Sequence, residues 1–209
     1  MPPPVEELWP ALDDWEKCLH DDEPLLPLLV RCALLHYQFE TIHPFLDGSG
    51  RLGRLFIVLH LLDAGRLPTP LLYLSAYFET RVPEYYDKLQ NVRERGDVAG
   101  WLQYVLTGVE QQAVDAVERA ERLADLRESY RQRLVGNRSR AREVVDMMFA
   151  NPVLTVRFVQ KALAVSQPGA TNLLRTLVQH DIVREVGQGP GVRQRWFGDE
   201  ILKILDPVH

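Results

Sequence analysis

Cysteine is scarce in this chain, and so is any excess of positive charge. Cys18 and Cys32 are the only two among 209 residues. They have neither CxxC spacing nor a companion histidine at ligand distance, which argues against a cysteine metal site or a disulfide framework. Both fall within apolar helical patterns and are expected to be buried thiols in a reducing cytoplasm. The 24 Lys and Arg are outnumbered by 29 Asp and Glu, for a net charge of -5. The chain therefore lacks the global positive field that draws proteins to nucleic acid or anionic membranes, and any basic site has to be local. No hydrophobic run can span a bilayer: the longest, near Leu55 to Leu62, is short and contains His60. A secretory leader would be basic and then apolar, whereas Met1 to Glu7 is proline-rich and acidic. A cytoplasmic protein without membrane contact is expected. With 46% hydrophobic residues, the chain can bury a core as one large domain or as one domain plus a small module.

Apolar spacing predicts helices along most of the length. Val5, Leu8, Leu12, Trp15 and Leu19 share one helical face, with Pro10 starting or kinking that helix. Leu25 to Ile42 and Leu52 to Leu62 are apolar on nearly every face, as in helices surrounded by others, and Gly65 is a C-cap for the second. Shorter helices are expected over Leu71 to Phe78 and Pro83 to Arg95, and a long one, capped by Asp97, from Val98 toward Leu134. The densely charged second half of the long helix leaves only Leu123, Leu126 and Tyr130 as an apolar stripe; a solvated helix or a self-association surface for a homodimer are the two readings. Gly136 to Ser139 breaks the pattern and marks a boundary between domains 1–136 and 137–209.

Between the two apolar helices lies His43-Pro44-Phe45-Leu46-Asp47-Gly48-Ser49-Gly50-Arg51-Leu52-Gly53-Arg54. Gly48 and Gly50 let the backbone turn with its N–H groups outward just where a helix begins, which makes an anion cradle. Arg51 and Arg54, three apart on the first turn, can grip phosphate oxygens from one side. Asp47 can hold Mg²⁺, which takes one or two carboxylates plus substrate phosphates. His43 can exchange a proton near neutral pH and suits a general base. Each part has a plainer explanation: a hydrogen-bonded structural histidine, a capping aspartate, a common glycine turn. The arginines favour a ligand, because cations at a helix N-terminus are unfavourable without an anion.

The segment resembles the Fic family signature H-P-F-x-[D/E]-G-N-G-R-x-x-R, with Ser49 where asparagine is usual. The similarity extends by eye over residues 4 to 134, including Tyr85-Tyr86 and Gly96-Asp97. It implies a mainly α, Fic-type helical bundle and a protein adenylyltransferase, moving AMP from ATP to a Ser, Thr or Tyr hydroxyl of a target protein. By resemblance His43 is the base and Asp47 holds Mg²⁺. Gly48, Ser49, Gly50, Leu52 and Gly53 lie along the nucleotide, Arg51 and Arg54 hold its β- and γ-phosphates, and Tyr86 (with Tyr85) falls near its base. Ser49 removes an amide, so nucleotide contacts made by the usual asparagine would be weakened or replaced by a hydroxyl. Met1 to Pro4 resembles the tail of the target-aligning flap of Fic proteins, and no [S/T]-x-x-x-E-[G/N] inhibitory motif is visible; a short variant of reduced activity, with no glutamate to pair with Arg54, is the resulting expectation.

Beyond Ser139 the patterns read as helices over Arg140 to Phe149, Thr155 to Leu163 and Gln167 to His180, then two strands, Ile182 to Val186 and Val192 to Phe197, around a glycine-rich turn. This resembles a winged helix-turn-helix, in which Thr171, Asn172 and Arg175 of the third helix and Arg193 and Arg195 of the wing would meet DNA. Dispersed Asp and Glu and the acidic balance of the chain weigh instead toward packing or protein contact. Two further functions stay open beside AMP transfer. One is a regulatory protein that binds nucleotide without transfer and acts on DNA; the other is a Fic protein that transfers a different phosphate-containing group or removes AMP.

Overall fold

The computed structural model describes residues 3–21, 25–67, 72–187 and 194–205. Ten helices and three short strands follow one another among them. They are α1 (Val5–Leu19), α2 (Leu28–Ile42), α3 (Ser49–Asp63), α4 (Leu74–Glu79), α5 (Val82–Arg95), α6 (Val98–Arg133), α7 (Ala141–Met148), β1 (Val153–Leu154), α8 (Val156–Leu163), α9 (Gln167–Gln179), β2 (Arg184–Val186), β3 (Arg195–Phe197) and α10 (Asp199–Leu205). The chain forms two compact units, Met1–Ala116 and Val117–His209. The division falls inside α6, before the Gly136 break that ends it. Met1, Pro2, Arg193 and the turn at Gly189 to Gly191 lie outside the described residues.

In the first unit the core gathers around Trp101, which is fully buried with Ile57, Leu74, Phe78, Tyr85 and Tyr104. Its indole N–H donates to the Ala33 carbonyl at 2.9 Å and ties α6 to α2. Asp97 caps α6, accepting from the Gly100 amide at 2.9 Å. Helix α1 has no buried residue. It docks through Trp15, whose Nε1 donates to the Leu35 carbonyl at 2.9 Å and whose ring packs on Phe39 and Phe56. Cys32 is buried as expected, but Cys18 is exposed, because the face of α1 that carries it meets solvent.

Helix α3 corrects the expectation of a helix covered all round. Ile57, Val58 and Leu61 are buried, whereas Leu52, Leu55 and Leu59 are 43 to 50% exposed along one stripe. Burying a side chain of this size contributes roughly 1.5–3 kcal/mol, so the Ile57 face holds the helix and the leucine stripe adds little. Leu25, at the expected start of the preceding helix, is fully exposed and outside α2.

In the second unit Tyr130, Leu134, Val144, Val145, Met148, Leu174, Leu177 and Trp196 form a buried cluster, with Leu123 and Leu126 packed on it. The three strands form one antiparallel sheet in the order β1-β3-β2, with Val153 opposite Phe197 and Glu185 opposite Trp196. Thr155 caps α8 by accepting from the Phe158 amide, and Ser166 caps α9 by accepting from Gly169.

Candidate active site

Helix α2 ends at His43, whose backbone is left-handed at φ 49° and whose amide donates to the Phe39 carbonyl at 2.9 Å. This conformation is sparsely populated by residues other than glycine and lifts the following turn out of the helix line. The imidazole is exposed and has no hydrogen-bond partner among the described residues. The turn is closed from within. The Ser49 hydroxyl, buried at 1% exposure, accepts from the Phe45 amide and donates to the Phe45 carbonyl, both at 3.1 Å. A side chain spent on the loop in this way supports its shape and leaves the cradle to the backbone.

Gly48, at φ 91°, turns the chain into α3 without a side-chain cap. Leu52 is the first amide to find a helical acceptor, donating to Gly48 at 2.9 Å. The amides of Ser49, Gly50 and Arg51 therefore have no acceptor among the described residues and stand at the positive end of the helix dipole. No acidic residue lies in that first turn. Arg51 is exposed and bonds Asp47 at 2.9 Å, while Arg54 is only 16% exposed and meets Glu79 at 3.5 Å. The Arg51–Asp47 pair lies in solvent and holds well under about 1 kcal/mol, so an incoming anion can displace it at little cost.

His43, Gly50 and Tyr86 border one cavity of about 430 Å³, together with Glu40, Gln90 and Arg93. Of the residues expected at the site, these three are brought together. Asp47, Gly48, Ser49, Arg51, Leu52, Gly53 and Arg54 lie on the adjoining loop and first turns of α3 and do not line the cavity. Gly53 marks a close helix approach: a Cβ there would stand 2.6 Å from Glu40 Oε1 and 3.0 Å from His36 Nδ1. Tyr85 turns away into the core at 4% exposure, so Tyr86 is the member of the pair at the cavity. A larger cavity of about 880 Å³ between α1 and α2, bordered by Trp15, Cys18, Leu35 and Tyr37, contains no part of the His43 to Arg54 turn.

Three residues on one face of α2 run from the cavity into the core: His43, Glu40 and His36. The last two stand three and seven before His43, a helical spacing that by itself does not separate them from ordinary core residues. Burial pushes the Glu40 carboxyl above its usual range, against the pull of His43 and Arg54. Glu40 Oε1, Arg54 Nε and His36 Nδ1 are all buried without a hydrogen-bond partner, so a polar cluster with unused capacity lies behind the cradle. His36 is fully buried, stacked on Phe78 and Trp101, with Nε2 3.1 Å from the Tyr85 hydroxyl.

Burial drives the His36 imidazole from 6.5 down to about 4, with a smaller push from Arg54 in the same direction and an opposing pull from the backbone of Gly53. The unfolded chain then takes up a proton near pH 6.5 that the native chain refuses until about pH 4. Stability present above pH 6.5 is lost as the pH falls through that window, by on the order of 3 kcal/mol. Urea midpoints are expected to drop between pH 6.5 and 4, and those of His36→Gln, referred to its own value at pH 7, to drop much less. Parallel curves for the two proteins would remove His36 as the source.

Residues 1–61 match the Fic/DOC family. The chain is 32% identical over 119 residues, 56% of its length, to a protein adenylyltransferase Fic of Nematostella vectensis. It is 37% identical over 93 residues, 44% of its length, to protein adenylyltransferase fic-1 of Caenorhabditis elegans. These stretches are 26% and 16% of the relatives' own lengths, so the chain spans about a quarter of them or less. A solved Fic family protein from Desulfovibrio desulfuricans G20 superposes with a TM-score of 0.51 at 22% identity, over 94% of this chain and 56% of that one, and so shares its fold. Among the described residues no helix is long and apolar enough to cross a membrane, and no group of three or more His, Cys, Asp and Glu could hold a metal ion.

Proposed function

We propose that the chain is a protein adenylyltransferase, moving AMP from ATP to a Ser, Thr or Tyr hydroxyl of a target protein. The observation that carries this reading is the uncapped N-terminus of α3, whose free amides and flanking arginines stand where Gly50 meets the same cavity as the His43 imidazole. The names of the relatives support it.

His43 accepts the proton of the target hydroxyl as that oxygen attacks the α-phosphorus. The bond from the α-phosphorus to the bridging oxygen breaks, pyrophosphate leaves with that electron pair, and AMP stays esterified to the target. The amides of Ser49, Gly50 and Arg51 receive phosphate oxygens, and Arg51 and Arg54 exchange Asp47 and Glu79 for the departing pyrophosphate. Phosphoryl-type transfer needs mainly alignment and charge neutralisation, which such donors supply without reorganising. Tyr86 offers an exposed ring at the cavity rim for the adenine.

Asp47 fits Mg²⁺ as a single carboxylate ligand: it is 90% exposed, and the remaining ligands would be phosphate oxygens and water. Bound there, the ion would neutralise charge on the phosphates. The test is incubation with ATP, Mg²⁺ and candidate target proteins. Label from the α-phosphate should become covalently attached to protein and label from the γ-phosphate should not; γ-label on protein, or none from either position, would overturn the assignment.

A further inference from the structure

Ion pairing sorts the second unit into two electrostatic regions. Glu143 is held by Arg140 at 2.6 Å, Asp146 by Arg127 and Arg131 at 2.8 and 2.9 Å, Glu200 by Arg133 at 3.2 Å, and Asp199 by Arg184. The carboxylates of α7 and α10 are thus neutralised where they stand. Between Asp146 and Asp181 the sequence contains no Asp or Glu at all, and that stretch holds α8 and α9. Its cations, Arg157 and Lys161 on α8 and Arg175 on α9, are exposed and form no ion pair or hydrogen bond among the described residues. Acidity spread along the sequence therefore gives way, in the folded unit, to a helix pair whose own charged side chains are all positive.

The two helices have the form that places charges of this kind on a duplex. They pack on each other across a short turn, left-handed at Ala164 and capped at Ser166. Val159 and Leu163 face the core from α8, leaving Arg157 and Lys161 one turn apart on the outside. From α9, Ala170, Leu173, Leu174 and Leu177 face inward, while Asn172, Arg175 and Gln179 recur at helical spacing on the exposed side. The Thr171 hydroxyl donates to the Gln167 carbonyl, which spends it within the helix. The amides of Asn172 and Gln179 have no side-chain partner among the described residues. A protein-binding face would have an apolar, aromatic centre, yet the outer side of α9 exposes no large hydrophobic residue and α8 exposes one, Phe158 at 38%. Free cations flanking free amides match phosphates and base edges instead.

We propose that α8 and α9 form a helix-turn-helix that binds double-stranded DNA, with Arg157, Lys161 and Arg175 on phosphates and the Asn172 face of α9 toward the major groove. Arg195, on β3, is a further exposed cation with no ion pair among the described residues. The inference is independent of nucleotide transfer at His43.

The test titrates the full chain onto a fluorescent duplex of mixed sequence at several salt concentrations and follows anisotropy. Affinity should fall with salt, and each cation that contacts a phosphate adds about one to the log–log slope. The triple substitution Arg157→Ala, Lys161→Ala, Arg175→Ala should therefore lower the slope by about three and weaken binding at low salt by at least about tenfold. Asn172→Ala should leave the slope unchanged. All four side chains are exposed, and an unaltered circular dichroism spectrum with an unaltered melting temperature would show that the substituted chains are folded. No binding at low salt, a slope the triple substitution does not change, or heparin bound as tightly as the duplex would overturn the proposal.

Discussion

Replacing His43 by alanine is expected to lower AMP transfer by about 10²- to 10⁴-fold, the usual contribution of a positioned general base, with nucleotide affinity unchanged. The expectation rests on how little else the imidazole does. It is exposed, bonds to no other group among the described residues, and only its backbone takes part in ending α2. The backbone is also the one complication, since φ 49° is less tolerable to alanine than to histidine or asparagine. His43→Asn keeps that tolerance and loses the base, so both substitutions should lower transfer to the same degree while only alanine lowers the melting temperature. Single-turnover transfer of α-label measures the first effect and thermal unfolding the second. Equal label from wild type and His43→Asn would end the assignment of His43 as base.

Arg54→Ala is expected to be as damaging, for two separable reasons. Loss of a preorganised donor to the leaving pyrophosphate should cost about 10²- to 10³-fold in transfer. The second loss is structural, because Arg54, beside His43, draws on the half-buried Glu40 carboxyl and also meets Glu79. Removing Arg54 leaves the half-buried Glu40 carboxyl with less compensation for its partial desolvation. A second substitution, Glu40→Gln, should then recover much of the lost stability and none of the lost transfer. Lysine at 54 should restore little, because its point charge cannot reproduce the planar fork of arginine. If Arg54→Ala transferred AMP at the wild-type rate, Arg54 would be a structural cation only.

The turn proposed as the catalytic site could be read residue by residue because it departs from helical patterning: glycines, a proline and charges stand between two apolar runs. The support behind it could not. Glu40 and His36 sit in a run that reads as ordinary core, and only the approach of α3 at Gly53 shows that their polar atoms are enclosed together. Periodicity found nine of the helices, yet it started α3 at Leu52, whereas Gly48 already turns the chain into helix at Ser49. It also left α3 without an outer face, since all-round apolarity does not say which side is covered. Strand β1 escaped because two residues are too few to establish a period; it exists through its pairing with β3. In the second unit, sequence alone gave every carboxylate equal weight, while the folded chain silences several of them with neighbouring arginines.

The unequal placement of the two cysteines has a practical consequence. Burial raises the Cys32 thiol to about 11, and a thiol in that state hardly reacts with maleimides, which take the thiolate. Cys18 faces water, so the native chain should accept one dye and the denatured chain two. Mass spectrometry after a brief labelling pulse would then count opening of the Trp101 core directly, with a reporter built in and no engineered residue.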